Sequence, residues 1–170
     1  MQKHEKLEYT LSKKMVISLF VYYLLILVCG CIISIHIGYS LTTPIDQSLL
    51  LRKTFIISLS VSGMLCSVQY IKRLYKACIT ERMDSQPNAY KKIGNAMYFI
   101  SRPFFAFVFS VIAVFFMLSG MFIVTGSLDY ILNEKFLYLC VISSAIIGFS
   151  VGKVLDKFES ISAERIENLK

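Results

Sequence analysis

The chain has 170 residues, of which 56% are hydrophobic and only 17% charged, and its mean hydropathy is +0.64. Soluble domains run about 45–50% apolar and about 25% charged, so composition argues against a water-soluble enzyme domain and excludes a disordered chain. The formal charge is +7, and the charged residues sit in short stretches between long apolar blocks.

A bilayer core is about 30 Å thick and takes about 20 apolar residues of helix to cross. In chain order, Met15 to Ile37 gives 23 residues without a charge, Thr54 to Ile71 gives 18, Pro103 to Leu128 gives 26 and Phe136 to Gly152 gives 17. The two shorter blocks are flanked by Arg52, Lys53, Lys72 and Lys153, whose stems can reach toward headgroups. None of the blocks alternates with period 2, which leaves helices rather than a barrel. The expected fold is therefore all-α: four transmembrane helices in one membrane domain, with spans at about 15–37, 54–71, 103–125 and 136–152.

Orientation follows from the cations. Lys3, Lys6, Lys13 and Lys14 precede the first span. Lys72, Arg73, Lys76, Arg82, Lys91, Lys92 and Arg102 lie between the second and third, and Lys153, Lys157, Arg165 and Lys170 follow the fourth. Only Arg52, Lys53 and Lys135 fall on the other side, so both termini and the middle loop are expected in the cytoplasm. A second reading of the first span is a cleaved signal, with Val28-Cys29-Gly30-Cys31 as a loose lipoprotein box acylated at Cys31. Apolar character continuing through Ile37 favours an intact span.

Between the spans, Thr43-Pro44-Ile45-Asp46 reads as a helix start outside the membrane, and Asn133 as the N-cap of the fourth helix. Tyr39, Tyr98, Tyr130 and Tyr138 fall near the expected interfaces. Residues 72–102 form the longest soluble piece and are expected to be a cytoplasmic helical hairpin. Ile71, Leu74, Tyr75, Cys78 and Ile79 recur at helical spacing, so the second helix should run to about Asp84. Ser85-Gln86-Pro87-Asn88 then turns, and a second arm from Ala89 to Ile100 returns. Pro103 disfavours helix at Arg102, so a break is expected there. The apolar stripe of the hairpin either packs on the hairpin itself or in the headgroups, or docks a soluble partner through Lys72, Arg73, Lys76, Arg82, Lys91 and Lys92. Residues 153–170 continue the fourth helix as a cytoplasmic tail.

Residues able to carry chemistry are scarce. His4 and His36 are far apart, and His36 has no Cys, Asp or Glu at ligand spacing. Cys29, Cys31, Cys66, Cys78 and Cys140 contain no CxxC and are expected as small apolar fillers. Neither acid nor base is expected deep in a span, which argues against proton relays and ion-coupled transport. No catalytic residue, metal ligand or cofactor site is expected, nor direct nucleic-acid binding.

Small residues recur at a spacing of four: Gly30, Ser34 and Gly38 in the first span, Ser58, Ser62 and Cys66 in the second with Gly63 and Ser67 beside them, and Ser144, Gly148 and Gly152 in the fourth. Such faces let helices approach closely in lipid. At least two should pack within the protomer, and the surplus points to a homo-oligomer. Much of the third span, rich in phenylalanine from Phe104 to Phe122, is expected to face lipid.

The exit sequence Tyr70-Ile71-Lys72-Arg73-Leu74-Tyr75-Lys76-Ala77-Cys78-Ile79 and the fourth-span ending from Ile147 to Glu159, within this four-span layout, resemble the membrane component of Kiwa anti-phage defence systems. The resemblance covers the layout of the whole chain and transfers no site residue. It implies a homotetramer in the bacterial inner membrane that senses infection and binds a cytosolic, DNA-binding partner. The residues alone admit three functions: a non-enzymatic scaffold or sensor, a pore lined by the serine-rich face of the second span, and a structural subunit for a catalytic partner.

Overall fold

The computed structural model describes residues 12–40, 47–79, 89–125 and 134–167. They form four helices: α1 (Lys13–Ser40), α2 (Gln47–Ile79), α3 (Ala89–Thr125) and α4 (Glu134–Glu167). Each holds a stretch long and apolar enough to cross a membrane, at Lys14–Ser40, Leu49–Lys76, Ile93–Gly120 and Lys135–Leu155. At 1.5 Å per residue, the 33 residues of α2 and the 37 of α3 extend about 50 and 56 Å. Both therefore outrun a hydrocarbon core.

Local chemistry fixes the ends of α1. Ser12 caps its start, accepting from the Met15 amide on its side chain (3.4 Å) and from the Val16 amide on its carbonyl (3.0 Å). At the other end the Lys53 ammonium donates to the Ser40 carbonyl at 3.0 Å, placing a cation at the negative end of the helix dipole. The expected starts at Thr43 and Asn133, the turn at 85–88 and Tyr130 lie outside the described residues.

Helix α2 is the axis of the bundle. Both α1 and α4 pack along it, α3 also lies against it, and α3 closes on α4 while scarcely meeting α1. Its small residues make this possible. Gly148 of α4 lies so close to α2 that an added methyl would meet the Ser62 carbonyl oxygen at 2.5 Å. Gly63 receives the Phe107 ring from α3, and Gly30 of α1 receives the Met64 side chain. The hydroxyls of this face are turned onto their own helix: Thr54 donates to the Leu50 carbonyl, Ser60 to Ile56 and Ser67 to Gly63, each at 2.8 Å. Between α3 and α4, Ser110 donates to Ser144 Oγ at 2.8 Å, both side chains being fully buried.

The small-residue faces are thus spent largely inside the protomer. Gly30, Ser58, Ser62, Gly63, Ser144, Gly148 and Gly152 are all buried. Ser34 is half-buried and donates to the Met64 sulfur at 3.7 Å, while Gly38 faces open space. The inferred surplus of small faces shrinks to Gly38, because α2 meets three neighbours and uses more than one face. The phenylalanines of α3 divide: Phe104, Phe105 and Phe116 are exposed, Phe115 is exposed on one side but holds its ring 5.2 Å from that of Phe55, Phe107 fills the Gly63 gap and Phe109 packs on the core. Cys66 and Cys140 are buried fillers, but Cys29 and Cys78 are exposed.

The expected break at Arg102 does not occur, since α3 passes through Arg102 and Pro103 as continuous helix. Proline removes one amide from the helical ladder and leaves the carbonyl four residues back, that of Phe99, without its helical donor. The Tyr23 hydroxyl of α1 donates to that carbonyl, and the Tyr22 hydroxyl reaches the Ile100 carbonyl at 3.5 Å. A neighbouring helix thereby restores the bond that proline forfeits, and the helix has no need to end.

Candidate functional site

The most polar part of the packed interior sits at the end of the bundle where Arg73 leaves α2. Tyr23 and Tyr70 stack with ring centroids 5.8 Å apart and planes 13° from parallel. Phe99 meets Tyr70 edge-on at 6.0 Å, and Tyr98 meets Phe99 edge-on at 5.5 Å. Both geometries are favourable for aromatic rings. Leu19, Cys66, Leu74, Ala106 and Val151 complete this cluster, so all four helices contribute to it.

Two guanidinium groups enter the aromatic cluster. Arg102 is only 2% exposed, and its guanidinium carbon lies 3.9 Å from the Tyr98 ring centroid. Arg73 donates from Nη1 to the Tyr98 hydroxyl at 3.3 Å and lies 5.1 Å from the Tyr70 ring centroid. The desolvated cation–π contact of Arg102 is worth about 2 kcal/mol, and that of the half-buried Arg73 less. Gly152 leaves the room that Arg73 and the Tyr70 hydroxyl fill, since an added methyl would meet them at 3.0 and 2.8 Å.

This arrangement corrects the sequence reading at two positions. Arg102, expected in the loop, is buried in the bundle, because α3 continues through Pro103 and carries the side chain inward. Arg73, grouped with the exposed cations, turns toward two tyrosines. Lys72 and Lys76 are exposed on α2. Lys91 and Lys92 lie in the first turn of α3, and Arg82 is outside the described residues. The hairpin stripe splits likewise: Leu74 is buried, but Tyr75 and Cys78 are exposed. Of the clustered tyrosines, the sequence reading singles out Tyr98, near an interface, and assigns no such place to Tyr23 or Tyr70. The available signal was an Arg-Pro pair inside an apolar helix, with a Tyr-Tyr pair in an otherwise aliphatic span.

Beside Arg102 the surface between α3 and α4 opens into a cavity of about 510 Å³. Arg102, Tyr98 and Ser101 line its polar side, and Ile100, Phe104 and Leu155 its apolar side. A second cavity, of about 520 Å³, lies between α1 and α2 near Gly30 and Gly63 and is walled almost wholly by apolar atoms. The first has a basic residue in its lining; the second offers only shape. His36 is exposed on α1, and among the described residues no three His, Cys, Asp or Glu side chains gather to hold a metal ion. No protein-family model, curated protein or solved structure matches the chain.

Proposed function

We propose that the chain is a non-enzymatic, multi-pass scaffold or sensor subunit of the bacterial inner membrane that recruits a cytosolic protein. Both termini and the loop between α2 and α3 face the cytoplasm, following the cation bias. The observation that carries the recruiting role is the split among the cations of α2. Arg73 is consumed by tyrosines, whereas Lys72 and Lys76 stay exposed on a helix longer than the membrane requires. Exposed cations of this kind steer and dock an acidic partner surface. The likeness to the Kiwa membrane component supports a role in anti-phage defence, a DNA-binding partner and a homotetramer. Few small residues, Gly38 foremost, are left for the contact between copies.

The pore reading has less support. Ser58, Ser62 and Ser67 are buried between helices of one protomer, and the hydroxyls of Ser62 and Ser67 bond to backbone carbonyls of α2. A channel lined by them would have to open that packing.

Affinity purification of the full chain from its native membranes tests the proposal. Lys72→Glu with Lys76→Glu, Arg73 being left intact, should abolish recovery of a soluble protein that accompanies the wild type, while carbonate-resistant membrane association persists. Unchanged recovery would contradict the recruiting role of these lysines.

A further inference from the structure

We infer that the cavity beside Arg102 is a binding site for an anionic phospholipid of the leaflet facing the basic end of the bundle. The inference rests on the membrane reading above and adds a specific ligand to it. The cavity joins two chemistries a lipid would need. Its polar side is lined by Arg102, Ser101 and Tyr98, and the arginine's fixed positive charge suits a phosphate. Its apolar side is built from Ile100, Phe104, Phe105 and Leu155, with Ile100, Phe104 and Phe105 exposed on the outer face of the bundle.

The order along α3 matches the order of groups in a lipid. Phe104 and Phe105 follow Arg102 toward the middle of the apolar stretch Ile93–Gly120, where an acyl chain lies when the phosphate is at Arg102. The depth agrees as well. Arg102 shares Tyr98 with Arg73, at the end of α2 where the cationic flank begins, and Leu155 is two residues beyond the exposed Lys153 on α4. Headgroup phosphates occupy this level in a bilayer. A guanidinium held over a tyrosine ring by continuous helix is preorganised for such a group, with little rotamer freedom left to lose.

Native mass spectrometry of the full chain in mild detergent, titrated with phosphatidylglycerol or phosphatidylcholine, tests the inference. One basic residue at the surface contributes about 1 kcal/mol to anionic-lipid binding, so the wild type should prefer phosphatidylglycerol about five-fold. Arg102→Gln should erase the preference. Leu155→Trp, which fills the cavity and keeps the arginine, should weaken retention of phosphatidylglycerol by a similar factor. Equal retention of the two lipids by the wild type would overturn the inference, as would an unchanged preference in folded Leu155→Trp. Inorganic phosphate that displaces the lipid at matched concentration would overturn it too, since it would identify a phosphate site rather than a lipid site. Carbonate extraction of the same membranes separates the two levels: a chain that stays in the pellet but shows no preference loses this site alone, and a chain that is released loses the membrane reading as well.

Discussion

The two ends of the bundle solve the packing problem by different means. At the end marked by Ile37, Leu50, Ile57 and Leu137, the core is aliphatic, and the neighbouring Val114, Phe136 and Cys140 extend it with similarly simple shapes. The end marked by Tyr23, Tyr70, Phe99 and Arg102 is aromatic and cationic, and it contains a helix opened by proline. The first end is held mainly by apolar contact, with the Lys53–Ser40 bond at its rim. The second depends on named hydroxyls reaching named carbonyls, so point changes there should act through hydrogen bonds as well as volume. The comparison separates what any apolar sequence could supply from what this sequence supplies specifically.

The largest expected effect lies between the ends, where helices touch backbone to backbone. Gly148→Val should destabilise the fold by about 3 kcal/mol, because its side chain would meet the Ser62 backbone, which has little freedom to yield. Denaturant titration of the purified chain in micelles measures this. Gly63→Ala should cost less, since the far edge of the Phe107 ring can move. At the aromatic end, Tyr23→Phe should cost about 1–2 kcal/mol by removing the hydroxyl that donates to the Phe99 carbonyl, and the same titration reads it. Ser144→Ala removes the bond to Ser110 and should cost about 0.6–1 kcal/mol. At the aliphatic end, Gly38→Ala should change stability by less than about 0.5 kcal/mol, since nothing lies near the added methyl. A large loss there in a detergent that preserves oligomers, absent in one that yields monomers, would instead mark Gly38 as a contact between copies.

The architecture was legible because it rests on composition. Charge-free runs located the four helices. Of the small residues at spacing four, Gly30, Gly63 and Gly148 lie at close helix contacts and Gly38 faces open space, and spacing alone cannot say which helix lies opposite. Ser62 and Gly148 meet each other within one chain, a pairing that depends on tertiary arrangement. The aromatic belt was hidden for a related reason. Pro103 signals a helix break unless a partner supplies the missing bond, and that partner, Tyr23, stands 80 residues away in sequence. Once a break was expected at Arg102, between the hairpin arm and the third span, the arginine fell by default into the loop. Its burial could not then be foreseen.

The central claim is that Tyr23 substitutes for the amide that Pro103 lacks, and a double-mutant cycle tests it directly. Pro103→Ala restores an N–H able to bond the Phe99 carbonyl, so Tyr23→Phe should become about 1 kcal/mol less costly in that background than in the wild type. Equal costs in both backgrounds would mean that the tyrosine and the proline act independently, and would contradict the account.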